Sequence, residues 1–173
     1  MAEEKKSEGM EPRFCEKVDL SEAYFMRFQP GDDLVEKIKE FCKTNGMERA
    51  AILSGIGSVC DVKYADPKSG VKIPLNREKD LIILEEEGPF ELQTLEGNVV
   101  PLHGEFANMK HGDLVPHLHV TLGARHGHIS GGHLVSAKVF TTVEIFIAKV
   151  KGSKVRKKQS PVTSLAEMRA DLE

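Results

Sequence analysis

The chain has 173 residues, 40% of them hydrophobic, which suits one domain with a single core and leaves too little for two. Its 24 Lys and Arg stand against 27 Asp and Glu, a net charge of −3, so no general field draws it to nucleic acid. The longest apolar runs, at 81–84 and 143–150, fall far short of the roughly 20 residues that cross a bilayer. The opening MAEEKKSEGMEP also lacks the apolar segment of a secretory signal, so a soluble, cytoplasmic protein without membrane contact is expected.

In chain order, residues 1–20 are polar and broken by Gly9 and Pro12, and read as a flexible leader ahead of a compact unit over 21–150. Residues 24–29 carry Tyr24, Phe25 and Phe28 and predict a strand that Pro30-Gly31 stops. Asp33 and Glu36 have capping-box spacing, and Leu34, Ile38, Phe41 and Cys42 share one helical face up to Asn45-Gly46. Capping accounts for these acids, against the alternative of a metal site at Asp32, Asp33 and Glu36. Cys15, Cys42 and Cys60 are odd in number and scattered, which excludes a disulfide framework and a thiolate zinc knuckle; they read as small hydrophobes.

Residues 50–59 predict a strand bent at Gly55 and Gly57; without a third glycine and a following lysine the run is no phosphate loop. Further strands are expected at 59–65, 71–73, 80–86, 89–95, 98–106, 115–122, 132–140 and 142–150, with a tight hairpin at Gly97-Asn98. One main helix and many strands give an α+β class: a predominantly antiparallel twisted sheet packed with that helix. Residues 151–173 form a basic tail in which Ser164 and Glu167 could cap a short helix carrying Leu165, Met168 and Leu172. Six of the ten residues 149–158 are basic. Lys154, Arg156, Lys157 and Lys158 are therefore the candidate nucleic-acid contacts, with a solvated charge run as the competing reading.

The sharpest chemical signal is that all seven histidines fall between positions 103 and 133. In Pro116-His-Leu-His-Val-Thr-Leu122 strict alternation sends His117, His119 and Thr121 to one face of a strand and Leu118, Val120 and Leu122 to the other. A hairpin centred near His126 would set His119 opposite His133. Cβ atoms about 5 Å apart across a ladder then let His117, His119 and His133 converge on one ion. Three nitrogens leave a fourth position for water or a bound group. The same imidazoles could instead hold an anion, or serve local hydrogen bonding and subunit packing. His103 could face the same cleft, with Glu91, Glu105 and Asp113 as candidate bases for a metal-assisted reaction. His126 and His128 belong to the hairpin loop and His111 to a turn, and no HExxH helix or serine-nucleophile motif is present.

Five stretches in order carry a family resemblance: 25–34 (FMRFQPGDDL), 51–59 (AILSGIGSV), 90–99 (FELQTLEGNV), 117–122 (HLHVTL) and 131–134 (GGHL). Together they are similar to the PPC domain, also called DUF296, over residues 21–150. The resemblance implies a trimer-forming fold, and that His117 and His119 match the family's paired strand histidines and His133 the histidine after its double glycine. In prokaryotic relatives this set resembles a zinc site. Plant relatives join the module to AT-hooks, but the Arg-Gly-Arg-Pro core of a hook is missing here, and Ala124-Arg-His126 stands where relatives commonly carry a more acidic segment.

The expected function is a homotrimeric binding or regulatory module with a histidine-lined Zn2+ pocket for a small polar or anionic ligand. The alternatives are a metal-dependent hydrolase or lyase on a small polar substrate, and a DNA-binding protein using the basic tail.

Overall fold

The computed structural model describes residues 15–170. Most of the expected leader and Leu172 therefore lie outside the described residues. Eight strands and one long helix follow one another: β1 (Asp19–Phe28), α1 (Leu34–Thr44), β2 (Ala50–Pro67), the short α2 (Arg77–Asp80), β3 (Leu81–Glu86), β4 (Phe90–Pro101), β5 (Leu114–Gly123), β6 (Ile129–Lys151), β7 (Arg156–Gln159) and β8 (Ala166–Arg169). The first six strands form one antiparallel sheet in the order β1-β6-β5-β4-β2-β3. Because β2 pairs with β4 on one side and β6 on the other, the ladder of β2, β4, β5 and β6 closes on itself. The α+β class with a mainly antiparallel sheet and one main helix is the observed one.

The helix forms where its caps dictate. The Asp33 carboxylate accepts the Glu36 N–H at 3.2 Å, and the Asn45 side chain donates to the Phe41 carbonyl at 2.9 Å. Between them Leu34, Val35, Ile38 and Cys42 are buried, and α1 packs on β5 and β6. Burial pushes the Cys42 thiol up to about 11, which removes it as a nucleophile at neutral pH. Asp32 is also spent locally, accepting the Gln29 N–H at 2.9 Å, so the acidic cluster serves the turn.

Several boundaries differ from expectation, and the differences share a cause. Gly97-Asn98 is no hairpin, because β4 runs unbroken through it. Gly97 has φ 145°, and a Cβ there would collide with the His117 backbone carbonyl. Its glycine lets β5 approach and does not turn the chain. Likewise 50–59 and 59–65 are one strand, as are 132–140 and 142–150; irregular register along β2–β6 absorbs their bends. Residues 71–73 form no strand, and β4 ends at Pro101 short of the expected 106. The C-terminal segment is not helical: β8 pairs antiparallel with β7, Arg156 opposite Arg169 and Gln159 opposite Ala166. Ser164, expected as a helix cap, sits at φ 58° in the connecting turn.

Gly97→Ala should lower stability by more than about 1 kcal/mol, since it adds both a forbidden φ and a backbone clash. A drop in the urea midpoint with unchanged slope checks it.

Candidate metal centre

On β5, Leu118, Val120 and Leu122 are buried in the core. Alternation then turns His117, His119 and Thr121 to the other face. β6 returns antiparallel alongside, and its register sets His119 directly opposite His133. The connection passes through a single 3-10 turn at Arg125–Gly127 with His126 at φ 61°, so the symmetry about His126 expected from sequence is the one observed.

Glycines fix how closely the strands approach. Gly97 of β4 faces the His117 carbonyl, and Gly131 of β6, with φ 147°, faces that of Val120; neither position has room for a Cβ. β5 is thus held close between its neighbours along the histidine-bearing segment.

The three side chains meet. The Nε2 atoms of His117 and His119 are 3.2 Å apart, and the ring centroids are separated by 5.1, 5.2 and 5.6 Å. One nitrogen from each ring lies within 4.8 Å of the other two, and among the described residues this is the one group of His, Cys, Asp or Glu side chains so arranged. Two nitrogens bound to a tetrahedral zinc at about 2.0–2.1 Å would lie about 3.3 Å apart, which the His117–His119 pair already matches.

Protonation favours the same chemistry. Burial first, then the positive charges of Lys157, His133 and His119, hold His117 down at about 4; burial, His119, Lys157 and Arg77 do the same for His133. Both rings are neutral at pH 7 and offer a lone pair.

The surrounding residues were less legible in the sequence. Across the β4–β5 ladder, Glu96 stands opposite His119 and Asn98 opposite His117. The Asn98 carboxamide oxygen is buried without a hydrogen-bond partner, an orphaned acceptor suited to a group bound beside the imidazoles. A residue set of three neutral imidazoles with an unsatisfied acceptor next to them fits a metal ion with one position left for a ligand. Breaking β4 at Gly97 concealed both neighbours; a continuous strand would have exposed them.

The other sequence candidates lie elsewhere. His103 packs edge-on against His111, centroids 5.3 Å apart, in the β4–β5 loop, where Gly104 N–H donates to His111 Nδ1 at 3.2 Å. Glu105 and Asp113 are exposed in that loop, and His126 and His128 in the hairpin turn. Glu91 pairs with Gly123, five residues along β4 from Glu96 and so about 15 Å from it. It lines a shallow depression with Ile56, Gln93 and Glu144. Of the basic tail, Lys154 and Lys158 are exposed and Arg156 is half-buried, whereas only 2% of Lys157 is exposed in the single chain.

A closed antiparallel ladder with one covering helix and a histidine cluster on its outer face defines a small α+β module. The chain belongs to the Plants and Prokaryotes Conserved (PCC) domain family, which it matches over residues 16–151. A plant- and prokaryote-conserved (PPC) protein from Pyrococcus horikoshii is 30% identical, with a TM-score of 0.71 over 91% of this chain and 96% of that one. A metal-containing protein from Archaeoglobus fulgidus is 27% identical, with a TM-score of 0.73 over 90% and 99%. A proposed DNA-binding protein from Ralstonia eutropha JMP134 shares the fold at 17% identity and a TM-score of 0.66, over 84% and 90%. No curated protein matches the chain in sequence. Among the described residues no helix is long and apolar enough to cross a membrane.

The lowered imidazole values give a signed expectation. An unfolded histidine takes its proton near 6.5 and the folded His117 and His133 only near 4, so below pH 6.5 the unfolded chain binds more protons and stability falls. Metal-free protein should therefore show a melting temperature that is level between about pH 6.5 and 7.5 and declines from there down to about pH 4. The double variant His117→Gln/His133→Gln should flatten that decline, as followed by circular dichroism in chelator.

Proposed function

We propose that this chain is a homotrimeric binding or regulatory module in which His117, His119 and His133 hold one divalent metal ion, with zinc as the occupant. The observation that carries the reading is the convergence of three ring nitrogens within 4.8 Å of one another. Neutral imidazoles suit zinc among the borderline metals, and a three-nitrogen set leaves the fourth tetrahedral position open, the arrangement of a ligand-binding rather than a closed structural site. That the Archaeoglobus fulgidus relative is a metal-containing protein supports it.

Assembly is supported by the apolar side chains the single chain leaves in water. Phe25 on β1 is 82% exposed and stacks on Phe146, Ile56 on β2 is 57% exposed, and Ile83 and Phe140 are exposed on β3 and β6. β1 and β3 are also the free edges of the sheet, which proteins commonly pair or cover.

A metal-dependent hydrolase or lyase would need a carboxylate within reach of a water at the open position, and Glu96, opposite His119, is the acid best registered for it. DNA binding would rest on Lys154, Arg156 and Lys158, with Lys157 buried in the single chain.

Untagged, size-fractionated protein should carry about one zinc per chain by elemental analysis, and His119→Ala should lose it while staying folded. Absence of metal from the native protein overturns the metal reading. Sedimentation equilibrium should give three times the 19.2 kDa of one chain; a monomer overturns the assembly.

A further inference from the structure

His117 and His119 meet through their Nε2 atoms, 3.2 Å apart. Two ring nitrogens come this close as a hydrogen bond, in which one carries a proton and the other a lone pair. In a neutral pair one ring is then the Nε2–H tautomer and the other the Nδ1–H tautomer, and what faces the remaining nitrogens decides which is which. A metal ion needs both Nε2 atoms bare.

The neighbouring strand treats the two rings differently. Asn98 of β4 pairs with His117 and Glu96 with His119, and partners across a ladder share a face with Cβ atoms about 5 Å apart. Nδ1 is the ring nitrogen nearer the Cβ, so it is the one that a short side chain opposite can address. Gly97, beside Asn98, has no room for a Cβ against the His117 carbonyl, and its glycine keeps the strands close at this pair. Asn98 is half-buried and its Oδ1 is buried without a hydrogen-bond partner. Such an acceptor carries the cost of its lost hydration until a donor reaches it, and the donor its register offers is a protonated Nδ1 of His117. Glu96 and His119 are both exposed, so water can serve His119 in either tautomer. His133 stands opposite Ala65 of β2, which has no acceptor side chain.

We propose that Asn98 is a positioning residue of the triad: its Oδ1 accepts the Nδ1–H of His117, which leaves the His117 Nε2 with a free lone pair and assigns the shared Nε2 proton to His119. The tautomer rests on the Asn98–His117 pair alone; its consequence for binding rests on the reading of the triad as a metal centre. A ring already held in the ligating tautomer needs no proton shift before it binds. Outer hydrogen bonds of this kind typically change metal affinity about ten- to a hundredfold.

Histidine 15N NMR of the EDTA-treated, 15N-labelled full chain at neutral pH shows which ring nitrogen carries the proton. His117 should be Nδ1–H in the native protein. In Asn98→Leu, which keeps the volume and removes the acceptor, it should become a mixture containing Nε2–H; Asn98→Asp keeps an acceptor and should keep the native tautomer. Zinc affinity, measured by competition with a chromophoric chelator, should fall about tenfold or more in Asn98→Leu and be retained in Asn98→Asp. A native His117 found as Nε2–H means that the amide turns its NH2 to the ring, and overturns the proposal without any variant. A His117 tautomer or a zinc affinity left unchanged by Asn98→Leu overturns it as well. Native protein that binds no zinc, yet shows a His117 Nδ1–H that Asn98→Leu removes, sinks the metal reading and keeps the contact. Should Asn98→Leu fail to fold, the native tautomer decides.

Discussion

The close approach of β5 to both neighbours is the constraint on which the site depends. His117 and His119 are two residues apart on a strand whose other face is filled by Leu118, Val120 and Leu122. Their direction is therefore set by the core and cannot change without exposing it. His133 comes from a different strand, and its meeting with the pair depends on the ladder spacing that Gly97 and Gly131 permit. Hydrophobic burial orients the imidazoles, and absent side chains set the distances between them.

Electrostatics then acts on a geometry already made. The triad carries its own repulsion: His133 and His119 raise the cost of a proton on His117, and His119 that of one on His133, with Lys157 adding to both and Arg77 to the second. An imidazole in water is protonated about a quarter of the time at pH 7. Here, burial first and then nearby positive charge hold His117 and His133 well below the ordinary histidine value, so both rings are free of an extra proton at neutral pH.

How much of this could be read from the sequence follows the range of the interactions involved. The helix was legible because its signals are local: Asp33, Glu36 and Asn45-Gly46 act within a few residues, and the apolar face repeats with the helical period. The triad was legible because a period of two and one hairpin centre are also local, and the resemblance to the PPC family agreed. Glycine misled at Gly97, where the residue yields to a neighbouring strand distant in sequence and its φ alone does not reveal a turn. The C-terminal segment misled for the reverse reason: spacing fit for a helix was outweighed by pairing with β7, and no pattern in Lys154-Val-Arg-Lys-Lys158 says which lysine turns inward. Glu96 and Asn98 became neighbours of the histidines only once β4 was continuous.

The hairpin of β7 and β8 lies past residue 151, where the family match ends, and it lays Lys157 against the end of β4. A change of length or register in that short hairpin would therefore be felt at the end of β4 while leaving the strands that carry the histidines unaltered in sequence.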